Sequence, residues 1–192
     1  MRRAILALGL LAAVLPAPAF AEDNLRCVIS GYSDEQQEIV SAYRAAYDIE
    51  ALRDPSGSTE VMAVNGQRAA QCAGEHGWNQ EATTAARQYG WRYLSADFIL
   101  HAMPLEPSQK LDLLSRYDAA DRDQLIDAIS AASGNPILGR ERRAPTDEDF
   151  AVVDSVVRLS EHTDGFTYGV WLGAWLTMSL LRDDTADRFA AL

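Results

Sequence analysis

His76, His101 and His162 are the only histidines of this 192-residue chain, and Cys27 and Cys72 its only cysteines. Metal binding, proton transfer or covalent catalysis would have to draw on these five side chains and on 28 acidic ones. No histidine stands in an H-E-x-x-H pattern, which sets two imidazoles on one helix face around zinc. Glu161-His162-Thr163-Asp164 is the densest local set of ligand types. Neighbouring helical residues point about 100° apart, so Glu161 and His162 share no face within a helix. The segment reads as a polar helix end, where the dipole favours a cation such as protonated imidazole.

Asp118, Asp121, Asp123 and Asp127 gather around one helix start. A calcium loop of the EF-hand kind needs alternating oxygen ligands, a central glycine and a closing glutamate. Asp121 and Asp123 match its first two positions, and Leu125-Ile126 then breaks it. Asp147-Glu148-Asp149 and Asp183-Asp184 fail the same test. These acids read as solvated faces and helix N-termini, with weak divalent-cation binding as the sharper alternative.

Nucleophile signatures are missing. Ser56-Gly57-Ser58 lacks the strand-to-helix elbow of G-x-S-x-G, and Ser108-Gln109-Lys110 is one residue short of S-x-x-K. Lys110 is the only lysine, which excludes a lysine-centred mechanism elsewhere. No phosphate loop, dinucleotide fingerprint or haem-attachment motif occurs, so no cofactor is implied. Paired carboxylates for glycoside cleavage stay open, because their spacing in space is invisible at this level.

Arg140, Arg142 and Arg143 stand out on a chain whose net charge is −11. Their forked guanidinium groups suit a carboxylate or phosphate, which makes them the surface feature best fitted to dock an anion or a protein partner. The plainer alternative is a solvated loop paired with nearby acids. The overall acidity argues against nucleic acid and anionic membrane surfaces as partners.

The elements that must position these groups follow from punctuation and periodicity. Met1-Arg2-Arg3, an apolar run over 4–15, Pro16 and Ala19-Phe20-Ala21 have the layout of a secretory signal peptide, residues 1–21, cleaved before Glu22. That places the protein in the periplasm or outside the cell, where Cys27 and Cys72 should form a disulfide worth about 4 kcal/mol at most. Ser33 with Gln36 has the spacing of a capping box. Thr59 to Ala73 reads as a poorer helix, weakened by Asn65-Gly66. From Gly77-Trp78-Asn79 a long helix carries Tyr89, Tyr93, Ala96 and Leu100 on one face until Pro104 stops it. Pro107 opens the next helix, Gly134-Asn135-Pro136 closes the one after, and 134–145 is the only linker-like stretch. Thr146 caps a valine-rich helix. Gly31-Tyr32-Ser33 and Gly77-Trp78-Asn79 echo one another, as two helix starts built on the same capping chemistry would.

The run 166–181 carries no charge. As a helix it spans about 24 Å, short of the ~30 Å hydrocarbon core of a bilayer, so a buried central helix is favoured over membrane contact. Gly165, Gly169 and Gly173 fall on one stripe of it, which a close neighbouring helix would explain. Trp171 and Trp175 serve as core volume or, alternatively, as walls for an apolar ligand.

The expected fold is a single all-α domain over 22–192, a bundle of six or seven helices around a buried apolar C-terminal helix. The leading functional expectation is an exported, non-catalytic protein that acts on a protein partner. The alternatives are a small hydrolase using a carboxylate with a histidine, an apolar-ligand-binding bundle, and a C-terminally anchored envelope protein.

Overall fold

The computed structural model describes residues 19–133, 140, 143–158 and 165–192. Residues 1–18, Arg142, the Glu161–Asp164 cluster with His162, and most of the 134–145 linker lie outside them. Among the described residues the chain is all-α, with no strand. Nine α-helices follow in order: α1 (Ala19–Ile29), α2 (Asp34–Ala46), α3 (Ile49–Arg53), α4 (Thr59–His76), α5 (Gln80–Ala102), α6 (Pro107–Ala119), α7 (Arg122–Ser133), α8 (Asp147–Val157) and α9 (Gly165–Ala190). A single 3-10 turn, Pro55–Ser58, precedes α4.

Local chemistry sets most of the boundaries. Ser33 and Gln36 form a complete capping box at α2, Asn79 accepts the Ala82 amide at α5, and Thr146 accepts that of Asp149 at α8. Each satisfies an N–H that the first helical turn leaves unpaired. Gly31 and Gly77 both sit at positive φ, 69° and 67°, and each leads into the next cap two residues on. The echo between the two segments is therefore a shared way of ending one helix and starting another.

α9 packs chiefly along α5. Trp171, Leu172, Trp175, Leu176 and Leu180 of α9 enter one core with Ile99, Met103, Leu113, Leu125 and Val156. Full burial of such side chains stabilises by roughly 1.5–3 kcal/mol each. A second cluster joins α1, α4 and α5 through Leu25, Val28, Ala69, Cys72 and Ala86, and a third sets Phe98 under Tyr43 and Tyr47. Cys27 and Cys72 are bonded, with Cα atoms 6.0 Å apart, and tie α1 to α4. No described helix is long and apolar enough to cross a membrane.

The helix count exceeds the expected six or seven for identifiable reasons. α1 lies before the first expected helix and offers little periodic pattern, with Leu25 and Val28 as its buried apolar residues among those described. The helix that Ser33 opens ends at Tyr47, and the Asp48 carboxylate caps a separate short α3. α4 runs straight through Asn65-Gly66. The Asn65 side chain is buried there and donates its amide to the Arg87 carbonyl of α5, 2.9 Å away. α9 continues past Leu181 through a charged turn to Ala190, where Asp184 pairs with Arg188 at 3.0 Å. The glycine stripe needs correcting at Gly173. A Cβ on Gly173 would meet nothing within 4 Å, so no helix approaches closely there. The close approach is instead at Gly90 of α5, where a Cβ would overlap Asn65 Oδ1 and come within 2.7 Å of Val28 Cγ1.

Candidate functional site

The two described arginines of the linker have their forks occupied. Arg140 reaches Asp123 at 2.6 Å and Asp127 at 3.1 Å. Arg143 grips the Asp149 carboxylate with both terminal nitrogens, while the Thr146 amide and hydroxyl donate to the same group. The Arg143 hydrogen bond, followed by that from Thr146, holds the Asp149 carboxyl far below the usual carboxylate range. A depressed carboxyl stabilises the fold fully above its unfolded value near about 4, and that contribution is lost as pH falls through the folded value. Asp149→Asn is accordingly expected to lower the urea midpoint at neutral pH, with the gap to wild type closing below about pH 4. A gap that is constant with pH would assign the loss to packing alone.

Neither described histidine is paired with a carboxylate. His76 is exposed and stacks on Trp78, ring centroids 5.4 Å apart, and His101 is exposed at the end of α5. Among the described residues, one group of potential metal ligands lies close enough to share an ion: Cys27, Cys72 and Glu75. Its two sulfurs are bonded to each other, which removes them as thiolate ligands. Trp171 and Trp175 are both buried in the main core. Trp175 meets Tyr117 edge-on at 5.3 Å, and Trp171 lies against Tyr47 at 6.4 Å.

A different set of residues lines two adjoining cavities beside α5 and α9. Trp175, Ser179, Arg182 and Ala186 recur along α9 at three- and four-residue spacing, so they form one stripe. Tyr89, Tyr93, Ala96, Asp97 and Leu100 do the same on α5. Between these stripes and Leu114, Tyr117 and Asp118 of α6 lies a cavity of about 240 Å³. A second, of about 360 Å³, opens between α1, α5 and α9, with Arg122 of α7 on its wall. Tyr93 and Arg182 line both.

Asp183 organises the partition. It accepts the Tyr117 hydroxyl at 2.7 Å and the Arg182 Nε–H at 2.7 Å, with an Arg122 nitrogen 3.8 Å away. Burial, then the Asp183 charge, pushes the Tyr117 hydroxyl far above its ordinary value, so it stays a neutral donor at every physiological pH. Burial opposes the charge on Arg182, but Asp183 more than offsets it and the guanidinium stays protonated. Asp183 takes up only the Nε of Arg182. Among the described residues, Asp183 is the acceptor that Arg182 meets, and it meets it through Nε.

Ser179 is the exception to this pairing. Its residue is 1% exposed and lines the smaller cavity, yet its Oγ has no hydrogen-bond partner. Buried hydroxyls are nearly always satisfied, and leaving one unmet costs roughly 1–3 kcal/mol. An activated serine needs a base within hydrogen-bond reach, and Ser179 has none. The arrangement offers donors and acceptors to a bound molecule.

Sequence reading set Tyr93 on one helix face and Trp175 as core volume or a ligand wall, and missed Ser179, Asp97 and Arg182 as a group. The available signal was a charge at Asp97 inside an apolar stripe, and a hydroxyl on the stripe of the most apolar helix. No family model, curated protein or solved structure matches this chain.

Proposed function

We propose that this chain is an exported, non-catalytic helical protein that works by binding, and that its ligand site is the cavity between α5, α6 and α9. The buried, unpartnered hydroxyl of Ser179 on that cavity's wall carries the reading. A ligand that meets it would supply the hydrogen bond that the fold withholds. Export is supported by the layout of residues 1–21 and by a disulfide of the kind that persists in oxidising compartments. The hydrolase alternative is disfavoured because His76 and His101 are both exposed and neither lines the cavities above. The cavity wall is mixed rather than apolar, which moves the expected ligand from a hydrocarbon toward a polar small molecule.

A protein partner is the second reading, supported by Leu111 and Phe150, 68% and 54% exposed on α6 and α8. It stands second on physical grounds. Single exposed apolar side chains are ordinary on a protein surface, whereas an unmet buried hydroxyl is not.

The test begins with the full chain expressed in a Gram-negative host and recovered from the soluble periplasmic fraction. That protein is screened against small metabolites by thermal shift, beside Ser179→Leu and Leu114→Trp, which fill the cavity from opposite walls. The expected result is periplasmic recovery and a compound whose stabilisation disappears in the filled variants. Retention in the cytoplasm overturns export. Equal responses from wild type and both variants to every compound overturn the binding site.

A further inference from the structure

We propose that the α5–α6–α9 cavity takes a small zwitterion, a molecule of free amino-acid type whose carboxylate meets Arg182, whose ammonium meets Asp118, and whose apolar body lies on Trp175 and Leu114. This rests on the reading of that cavity as the ligand site and adds the class of ligand.

The wall carries open charges of both signs. Arg182 meets Asp183 through Nε. Its terminal amino groups are a planar pair of donors whose geometry suits a carboxylate. Asp118 is exposed on the same cavity and has no ion pair or hydrogen bond among the described residues. The cavity's other acid, Asp97, is already answered by Arg44 at 2.8 Å. One anion without an ion pair, and one guanidinium whose pairing with Asp183 runs through Nε alone, therefore face a single space.

A simple carboxylate would satisfy Arg182 but sit near the Asp118 charge. A simple amine would reverse the problem. A molecule bearing both groups meets each with its opposite, and the mismatch is what excludes the others. The Ser179 hydroxyl fits either end, since it donates to a carboxylate or accepts from an ammonium. Size agrees with charge. About 240 Å³ is below the roughly 300–1,000 Å³ of sites for drug-sized ligands and suits a molecule of amino-acid size.

The experiment is isothermal titration of the full, disulfide-bonded chain with leucine, methionine and phenylalanine. Each is compared with the two analogues that lack one charge; for leucine these are isocaproate, without the amine, and isoamylamine, without the carboxylate. Saturable binding is expected for at least one amino acid, with both of its analogues about tenfold weaker or more, the loss that goes with one charge-assisted hydrogen bond. Asp118→Asn, an exposed change that leaves the fold intact, should weaken the amino acid by about threefold to tenfold and bind the carboxylate analogue more tightly than wild type does, since the charge that opposes it is gone. An analogue that binds as tightly as its parent overturns the zwitterion and leaves the cavity as a ligand site. The same holds if no amino acid binds but the metabolite screen finds another occupant. If neither titration nor screen finds any ligand sensitive to Ser179→Leu, both readings fall.

Discussion

Gly90→Ala is expected to destabilise the protein by about 2–4 kcal/mol, although alanine is the better helix former by about 1 kcal/mol. The added methyl would overlap Asn65 Oδ1 and lie 2.7 Å from Val28 Cγ1. Neither neighbour has room to move. Val28 is fully buried between α1, α4 and α5, and the Asn65 amide is fixed to the Arg87 carbonyl of the same helix that carries Gly90. Relief requires either pushing α1 and α4 away from α5 or breaking that hydrogen bond inside the core. Overpacking costs about 1–3 kcal/mol, and an orphaned buried amide costs a similar amount. Gly173→Ala supplies the opposite sign. Its new methyl meets nothing within 4 Å, so the gain of about 0.5–1 kcal/mol in helix propensity should appear undiminished. Urea unfolding of the two variants beside wild type reads both effects. A Gly90→Ala midpoint at or above wild type would mean that α4 and α5 slide apart freely, and the account of their crossing would be wrong.

That pair of glycines shows where the sequence was legible. Ser33, Asn79, Pro107 and Thr146 announce helix starts because a cap needs only the four or five residues around it. Gly173 and Gly90 look alike along the chain, and only the neighbouring helix separates them. Asn65-Gly66 likewise reads as a weakness in α4 until α5 is laid across it and Asn65 acquires the Arg87 carbonyl. The linker arginines follow the same rule at shorter range. Arg143 closes on Asp149 six positions away, and Arg140 on Asp123 seventeen away. Residue type made them candidates for docking, and distance through space gave them partners within the chain.

The candidate cleft was half legible. Trp175, expected as core volume, is buried, whereas Tyr93, set by the same kind of spacing on one face of α5, is 36% exposed. Nothing local distinguishes an inward serine that has a partner from one that lacks it. Ser179 becomes notable only because the walls from α5 and α6 stop short of it, and Arg182 only because Asp183 takes one edge of its guanidinium. The first fact belongs to residues more than 60 positions apart, and Asp183 itself is held across the same distance by the Tyr117 hydroxyl, 66 positions away.

Replacing both Cys27 and Cys72 with alanine is expected to lower stability by about 4 kcal/mol at 25 °C. That is the chain-entropy value for a cross-link spanning a separation of 45 residues. The bond's position allows a finer expectation than its energy. α1 is held to α4 by three devices at one junction: the disulfide, the packing of Leu25 and Val28, and buried Arg68. The Nε–H of Arg68 is shared between the Cys27 carbonyl at 2.8 Å and the Ser30 carbonyl at 2.7 Å, which closes the C-terminal end of α1. Its terminal nitrogen lies 3.3 Å from Cys27 Sγ. Arg68→Met would leave those carbonyls without their donor at a cost of about 1–3 kcal/mol, since the end of the helix has no other buried partner for them. Because both changes loosen the same junction, their effects should not add. Once the disulfide is gone α1 separates more readily, and the carbonyls that Arg68 served reach water before the rest of the fold opens. The triple variant should therefore lose less than the sum of the separate losses, by about 1 kcal/mol. Hydrogen exchange should show α1 amides opening first in the cysteine variant while those of α5 and α9 still report global unfolding. Strict additivity, with α1 exchanging at the same rate as α5 in every variant, would mean that α1 is an integral part of the cooperative core. The disulfide would then stabilise the whole bundle equally, and the picture of a helix fastened on from outside would have to be abandoned.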